Sequence, residues 1–402
     1  MTSHFHDAIE NSENQAQNGL LLWNEKQKST ILANREDDHQ SPDSFKNGAK
    51  DILFLPRLLC AALSYTLDTL APFSCPTCSF TLPDRSFIRW VLPLVFWANL
   101  TLHQSYASEL REKGPGSTLN GDGFGVGWYA DTSGTPCIFT SISPAWNNRN
   151  LLRLSHKILS PLIFAHIRAA SPGSPTNESN CHPFQYRQFM WMHNGHVADF
   201  HLVKRRLITY ISDECFNLVE GTTDSEYCFV LYLHVLFTTN GTKVEQGAYN
   251  LEQPIPDSQY YSPEVLYTAM TDTIALLNCW INESGSPKHS MLNFCLTDGR
   301  TLVSTRYANT KDGPAASLFY SSGTKFERNP RDPERYIMSQ ADRRQMCHII
   351  ASEPLTDDKD DWVQVPRNHM VVVTPQSNLL LFSIPENKSD PEHLNNPGMS
   401  RY

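Results

Sequence analysis

The chain has 402 residues, enough for two ordinary domains or for one large domain with tails. A formal net charge of -9, without any basic cluster, argues against a nucleic-acid surface or a polybasic membrane patch. Ten cysteines are too sparse for a disulfide framework, and the longest apolar run, 90–102, contains Pro93 and is shorter than the roughly 20 residues that span a bilayer. We therefore expect a cytoplasmic protein that acts on a small molecule or on another protein, with neither nucleic acid nor membrane as a partner.

Composition divides the chain into four parts. Residues 1–50 are polar and poor in aromatic residues, which predicts a disordered tail. Residues 51–98 are apolar but irregular, because prolines interrupt every periodic run, and no element is assigned there. Residues 99–385 have regular patterning and form the predicted folded domain. Residues 386–402 are again polar and predict a flexible tail.

The first regular segments have the pattern of strands. Residues 124–130 and 136–142 flank a turn and predict a strand pair, while 161–169 and 187–194 are short apolar runs suited to buried strands. The glycines of "LNGDGFGVGW", 119–128, recur every second residue. No helix start or Lys-Ser/Thr follows them, so they favour a strand with close backbone packing over a phosphate cradle.

Three helices are predicted next. The segment 200–219 places Val203, Leu207, Ile211 and Phe216 near one face. A second helix begins at Asp224 as its N-cap, and a third at Ser262, with Leu266, Met270, Ile274, Leu277 and Ile281 as its core face. Strand patterns then return at 291–298, 301–307, 317–322, 347–354 and in a hairpin at 369–384. This order predicts an α+β fold of two sheets covered by helices, because the strict strand–helix alternation of a doubly wound fold is missing.

Short polar clusters interrupt the apolar segments. Arg168 ends a predicted strand, where its planar cation suits a carboxylate, although a surface arginine is the commoner case. The adjacent Cys181 and His182 would point to opposite faces of a strand and so make a poor nucleophile–base pair. "HNG", which contains Asn194, and "TTDSE", which contains Asp224, are each explained singly by an ordinary turn and an ordinary helix cap.

Taken together and in this order, the clusters resemble the class II (N-terminal-nucleophile) glutamine amidotransferases. The similarity is greatest to compact stand-alone members of bacteria and fungi, a subgroup that includes the amidotransferase-like type associated with fungal glutathione degradation. The resemblance covers roughly 99–384. The motifs that carry it are "NGDGFGVGWY" (120–129), "PAWNNRNL" (144–151), "NCHPF" (180–184), "TTDSE" (222–226), "LNF-LTDG" (292–299) and "ASEPLT" (351–356).

The resemblance implies a fold and a set of roles. The fold would be a four-layer αββα sandwich of two antiparallel sheets. Arg168, assisted by Ser171, would hold the substrate's α-carboxylate, and Asp224 its α-ammonium. The Asn194 side chain and the Gly195 N–H would form an oxyanion hole, since hydrolysis of a γ-glutamyl amide passes through a tetrahedral oxyanion that needs fixed donors.

The family's nucleophile is a cysteine at the mature N-terminus, whose own α-amino group acts as the base. Here Thr2 follows Met1, and no Cys-Arg-Phe occurs. Counting back from "HQSYAS" at His103 by the family's usual spacing reaches Cys78. Three explanations stay open: cleavage that exposes Cys78, a native start other than residues 1–98, or an inactive relative. Zinc binding by the Cys75–Cys78 pair is disfavoured, because no second pair follows at a suitable spacing.

The predicted function is hydrolysis of γ-glutamyl amide or peptide bonds, in glutamine, glutathione or γ-glutamyl compounds, through a cysteine thioester. The alternative is a catalytically inactive binding or regulatory protein that keeps the glutamate pocket. No cofactor and no metal are expected. Because no attached synthase domain is evident, two options stay open: simple hydrolysis, or a separate peptidase or synthase subunit as partner.

Overall fold

The computed structural model describes 59–65, 92–93, 121–130, 134–155, 157–170, 175–241, 255–310, 313, 315–329, 331–340, 347–356 and 358–385. All of these residues lie within one unit, Phe54–Tyr402. The predicted tails 1–50 and 386–402, most of 51–98 with its Cys75–Cys78 pair, and Ser171 lie outside the described residues.

The described strands are short and numerous. They are β1 (Leu59–Tyr65), β2 (Leu92–Pro93), β3 (Phe124–Tyr129), β4 (Pro136–Ser141), β5 (Leu159–Ser160), β6 (Leu162–Ile167), β7 (Phe184–Tyr186), β8 (Phe189–His196), β9 (Met291–Thr297), β10 (Leu302–Arg306), β11 (Phe319–Gly323), β12 (Lys325–Asn329), β13 (Asp332–Ser339), β14 (Cys347–Ala351), β15 (Val363–Gln364), β16 (His369–Val373) and β17 (Leu379–Ser383). The α-helices are α1 (Arg149–Ser155), α2 (Phe200–Tyr210), α3 (Asp213–Phe216), α4 (Asp224–Thr239) and α5 (Pro263–Glu283).

Two antiparallel sheets form the centre of the fold. The larger has seven strands in the order β15-β11-β14-β1-β6-β3-β4, and the smaller has six in the order β17-β16-β10-β9-β8-β7. A buried apolar cluster contains residues from both sheets, for example Phe164 of β6, Met192 of β8 and Val371 of β16. The sheets therefore pack face to face. We call the region between them, at the ends of β6 and β8, the cleft.

Each sheet has a covering layer on its outer face. Helices α2, α4 and α5 bury their apolar residues against the six-stranded sheet, where Trp191 of β8 contacts Phe229 of α4. The seven-stranded sheet is covered by α1, through Leu151, and by the β12–β13 hairpin, through Phe326 and Tyr336. This layering confirms the α+β class and the αββα sandwich, with an outer layer on the seven-stranded side that is part helix and part hairpin.

The strand predictions are confirmed: β3 pairs with β4, β6 is buried along its whole length, and β16 pairs with β17. The helix starting at Ser262 is also confirmed, since this residue caps α5 and the predicted core face is buried. The sequence patterns did not predict β1, β2, β5, β7, β12, β13 and β15. Among the described residues no helix is long and apolar enough to cross a membrane.

Two helix predictions are wrong in detail. The segment 200–219 is two helices, because the Ser212 hydroxyl accepts from the Cys215 N–H and starts α3 after α2 has ended. Phe216 is 41% exposed and does not share the buried face. The N-cap of α4 is Thr223, whose side chain accepts from the Glu226 N–H, so Asp224 is the first residue of the helix. The Asp224 carboxylate is consequently available for other contacts.

The glycines of β3 are explained by close packing, as predicted. A Cβ at Gly125 would lie 2.0 Å from the His182 carbonyl oxygen, and one at Gly127 would lie 2.4 Å from Sδ of Met190. No side chain fits at either position. The segment that leads into β7 therefore lies directly on the backbone of β3, and this contact brings the "NCHPF" motif to the end of β6.

Candidate functional site

Strand β8 presents alternate residues to two different environments. Phe189 and Trp191 belong to the helix-side core, whereas Met190 and Met192 belong to the core between the sheets. Asn194 follows Met192 by two residues, so the same alternation directs it toward the opposing sheet, and it is 8% exposed. Its Cα partner in β9 is Asn293. The predicted oxyanion donor thus lies in the cleft between the two sheets.

The backbone conformation and a close backbone contact both require glycine at position 195. Its φ is +151°, and a Cβ there would lie 1.9 Å from the Met291 carbonyl oxygen on β9. The strand continues through His196, so Asn194 and Gly195 do not form an Asn-Gly hairpin turn. At its exposed end, His196 donates through Nε2 to the His289 carbonyl at 3.1 Å.

His193 connects β8 to both β9 and α4. Its Nε2 donates to the Met291 carbonyl at 3.0 Å, which leaves Nδ1 to accept from the Ser225 hydroxyl at 2.9 Å. Burial lowers the pKa of this imidazole, although the nearby Asp224 raises it in part. A neutral ring with both nitrogens occupied is a poor general base and a good link between β8 and α4.

The "TTDSE" motif connects the start of α4 to its surroundings through every one of its residues. Thr223 caps the helix, and the Asp224 carboxylate accepts from the Val197 N–H at 2.7 Å. Glu226 accepts from the N–H groups of Glu220 and Gly221, both at 2.8 Å. The remaining two residues, Thr222 and Ser225, bind Asn180 and His193. Asp224 is therefore held against the end of β8, three residues beyond Asn194.

Arg168 follows the last residue of β6 and is buried, with 4% exposure, so it is not a surface arginine. Its backbone exchanges hydrogen bonds with the start of β3, and the carboxylate of Asp122 accepts from the Ala170 N–H at 2.8 Å. The guanidinium donates to the carbonyls of Asp122 at 3.4 Å and Pro175 at 3.2 Å. These two carbonyls fix the direction of the cation.

Asn180 connects the residues that are predicted to bind glutamate. Its Nδ2 donates to the Pro175 carbonyl, the same oxygen that Arg168 contacts, and also to the Thr222 hydroxyl. Its Oδ1 accepts from the Thr222 N–H at 2.9 Å. A continuous chain of contacts therefore runs from Arg168 through Asn180 to the segment that carries Asp224. The sequence marked "NCHPF" as a motif but gave Asn180 no role.

A pair of buried histidines lies beside Arg168. Nδ1 of His182 is 3.0 Å from Nε2 of His166, and the two rings meet edge to face. Burial lowers the pKa of His166 to about 3 and that of His182 well below its usual value, and the charge of Arg168 acts in the same direction. Nε2 of His182 is buried without a hydrogen-bond partner in the described part of the chain. Both rings are therefore neutral packing elements at ordinary pH.

Most of the cysteines whose side chains are described are buried, while Cys137 is exposed and Cys279 is partly exposed. Cys181 is buried with its Sγ against the carbonyls of Ser141 and Asn177, and burial raises the pKa of its thiol, so it is not an activated nucleophile. Cys78 and Ser171 lie outside the described residues. Strand β1 pairs with β6 so that Cys60 is opposite His166 and Leu59 opposite Ile167. The start of β1 thus lies at the sheet edge from which Arg168 emerges.

The sequence patterns missed a second arginine of interest, which lies in the six-stranded sheet. Arg306 ends β10, as Arg168 follows the end of β6, and that shared strand-end position was the available signal. Among the described residues, no group of three or more His, Cys, Asp or Glu side chains could hold a metal ion.

Comparisons with known sequences agree with the motifs. A family model described as "Glutamine amidotransferases class-II" matches 92–255. The probable glutamine amidotransferase DUG3 of Saccharomyces cerevisiae is 39% identical over 293 residues, which cover 70% of this chain and 77% of that protein. The gamma-glutamyl-hercynylcysteine sulfoxide hydrolase of Mycobacterium tuberculosis is 31% identical over 271 residues, which cover 67% of this chain and 82% of that enzyme.

Solved structures give distant matches. A glutamine aminotransferase class-II domain protein from Silicibacter pomeroyi is 20% identical, with a TM-score of 0.47, and the match covers 81% of this chain and 99% of that one. The glutamine phosphoribosylpyrophosphate amidotransferase of B. subtilis is 12% identical, with a TM-score of 0.43, over 82% of this chain and 50% of that one.

Proposed function

The chain belongs to the class-II glutamine amidotransferases, and from this membership we propose that it hydrolyses the γ-glutamyl bond of glutamine or of a γ-glutamyl compound. The region 99–385 is the proposed catalytic domain. Relatives named as a probable glutamine amidotransferase and as a hydrolase of a γ-glutamyl compound support hydrolysis over the inactive alternative.

One observation supports the proposal: a chain of hydrogen bonds links Arg168 to the segment that carries Asp224, and Asp224 to the end of the strand that carries Asn194. Arg168 and Asp224 are connected through Asn180, and Asp224 is bonded to Val197, just beyond Asn194. A fixed cation and a fixed anion suit the α-carboxylate and the α-ammonium of a glutamyl group. In our proposal these two contacts align the γ-carbonyl beside the Asn194 amide and the Gly195 N–H.

The proposed reaction has two steps. A cysteine thiolate attacks the γ-carbonyl carbon, the resulting oxyanion is stabilised by Asn194 and Gly195, and the C–N bond breaks as the leaving amine takes a proton. Water then attacks the glutamyl thioester, which releases glutamate and restores the thiol. The neutral His193 acts only by holding β8 against α4.

Two cysteines are candidates for the nucleophile. Cys78 is proposed from the family's spacing, and Cys60 from the pairing of β1 with β6. Either would need to become N-terminal so that its α-amino group can act as the base. Intact-mass measurement of the protein isolated from its own cells separates them, because cleavage before Cys60 or before Cys78 gives products of different mass.

Release of glutamate tests the function directly. Glutamate would be measured after incubation of the native protein with glutamine and with a γ-glutamyl dipeptide. Arg168→Ala and Asp224→Asn should each reduce release strongly, whereas Asp213→Asn, a change at an exposed carboxylate on α3, should not. Release that is absent in the wild type, or equal in all four proteins, would refute the proposed pocket.

Partner and compartment extend the same proposal. We expect a separate peptidase or synthase subunit to act on the product that leaves this site. A cytoplasmic location is likewise a prediction. Co-purification from native cells, followed by identification of bound subunits, tests the first expectation, and fractionation tests the second.

A further inference from the structure

Arg306 and Arg367 are neighbouring arginines, because Arg306 contacts the backbone two residues before Arg367. Arg306 donates through Nε to the Ala316 carbonyl at 3.0 Å and through Nη1 to the Val365 carbonyl at 2.6 Å. Arg367 donates through Nη1 to the Gly313 carbonyl at 2.9 Å. Within the described part of the chain neither guanidinium has a carboxylate partner, and Nη2 of Arg367 is buried without an acceptor. Two uncompensated cations and an unsatisfied buried donor are the features of an anion site.

The electrostatics of the pair agree with this geometry. Burial lowers the pKa of Arg306, and the charge of Arg367 lowers it further. The two like charges oppose one another, and an anion beside them would reduce that repulsion. Backbone carbonyls orient both side chains without neutralising them. The arrangement is therefore complete except for a negative charge.

Arg306 lies on the same face of the sheet as the predicted oxyanion hole. Asn194 of β8 is opposite Asn293 of β9. Asn293 and Arg306 both donate to the Ala316 carbonyl, which places them side by side on neighbouring strands. Arg306 is four residues after Leu302 on β10, so both side chains lie on the face that meets the other sheet. Asn194, Asn293 and Arg306 thus form a row across three strands, in which the first and last Cα atoms are about 10 Å apart.

This row and the residues proposed to bind the glutamyl group lie on opposite sides of Asn194. Arg168 and Asp224 are joined through Asn180, which precedes β7 on one side of β8. Arg306 and Arg367 belong to β10 and to the segment before β16, on the other side of β8 and β9. A substrate whose γ-carbonyl is at Asn194 would therefore point its glutamyl end toward Arg168 and its leaving group toward the arginine pair.

We propose that Arg306 and Arg367 bind a carboxylate on the leaving group, so that this site prefers γ-glutamyl peptides with a free C-terminus to glutamine. The inference rests on the proposed function, since it takes the γ-carbonyl to lie at Asn194. A leaving group of one or two residues extends about 3–7 Å, which together with the reach of an arginine side chain spans the row. The ammonia that leaves glutamine has no group for the arginine pair to bind.

Binding of two matched ligands tests the proposal. The probes are the ketomethylene isosteres of γ-glutamylglycine and of its C-terminal amide, which differ only in the charge of the terminal group and resist hydrolysis. Calorimetry with the full chain should show the acid binding at least about 10-fold more tightly than the amide, as expected for one charge-assisted contact. Arg367→Gln should bring the ratio close to one, Arg367→Lys should keep most of it, and Arg205→Gln, at an exposed arginine on α2, should leave it unchanged.

The outcomes separate this inference from the proposed function. Equal binding of acid and amide by the wild type, with both lost in Arg168→Ala, overturns the arginine subsite and leaves the glutamyl pocket standing. A preference for the acid that disappears in Arg367→Gln while Arg168→Ala binds both ligands normally supports the subsite and overturns the glutamyl pocket. Failure of both ligands to bind the wild type overturns both.

Discussion

The two walls of the cleft are held in place in different ways. On the six-stranded sheet, His193 has a hydrogen-bond partner at each ring nitrogen, and the Asp224 carboxylate ties the end of β8 to α4. On the seven-stranded sheet, Gly125 packs against the His182 carbonyl, and Nε2 of that histidine has no partner among the described residues. Directional hydrogen bonds position one wall and close packing positions the other. The hydrogen-bonded wall should therefore be disturbed by loss of polar groups. The close-packed wall should be disturbed by added side-chain volume and by protonation of its histidines.

The largest effect is expected for Asn194→Ala on the hydrogen-bonded wall. Removing one oxyanion donor should lower kcat by about 10²–10³-fold, corresponding to about 3–4 kcal/mol, with little change in KM. Steady-state glutamate release measures both constants. Asn282→Ala, at an exposed position on α5, is the control. A rise in KM with unchanged kcat would assign Asn194 to substrate binding instead.

On the close-packed wall, Gly125→Ala should lower the stability of the fold. The added Cβ would lie 2.0 Å from a carbonyl oxygen that belongs to the backbone and cannot rotate away. We expect the free energy of unfolding to fall by about 3 kcal/mol, the upper end for overpacking. Urea denaturation measures it. Gly121→Ala, whose Cβ would meet only the tip of the Trp146 ring at 3.2 Å, should lose much less, and an equal loss in both variants would contradict the packing account.

The buried histidines of the close-packed wall should make the protein sensitive to acid. Folding lowers the pKa of His166 from 6.5 to about 3, so between these values the unfolded chain binds a proton that the folded chain excludes. The stability contributed by the neutral ring is present above pH 6.5 and is lost as the pH falls, by about 1.4 kcal/mol per pH unit. Urea denaturation at pH 7 and pH 5.5 should show a smaller drop in His166→Asn than in the wild type. The exposed His201→Asn should behave as the wild type, and identical pH slopes in all three proteins would contradict the assignment.

The smallest effect is expected at the helix start of the hydrogen-bonded wall. Thr223→Ala removes the N-cap of α4 and should lower the free energy of unfolding by about 1 kcal/mol. Thr223→Ser keeps the capping oxygen and should restore most of the loss. If Asp224 were the cap, as the sequence suggested, the alanine variant would unfold like the wild type.

Much of the framework could be predicted from the sequence because it repeats simple periods. Strand β6 is a continuous apolar run, and α5 has a buried residue every three or four positions after a Ser-Pro start. The break between α2 and α3 could not be foreseen from apolar spacing, since it depends on the Ser212 hydroxyl finding the Cys215 N–H. The position of β1 was equally hidden, because its pairing with β6 and β14 is long-range.

For the proposed site, the sequence singled out Arg168, Asn194 and Asp224 but not how they are connected. Asn180 has no periodic or charge signal, and its role follows only from the loops it joins. Arg306 was passed over because a single arginine at a strand end is common, and its significance depends on Arg367, 61 positions later, being brought beside it by folding.

Covalent labelling with an electrophilic glutamine analogue is the most direct test of the central claim, that this cleft binds a glutamyl group beside a nucleophilic cysteine. The native protein would be treated with a γ-diazoketone analogue of glutamine, and the alkylated residue would be located by peptide mass spectrometry. We predict a single labelled cysteine at the mature N-terminus, protected by a γ-glutamyl peptide and unlabelled in Arg168→Ala. Labelling of no cysteine, or labelling that Arg168→Ala leaves unchanged, would contradict the account.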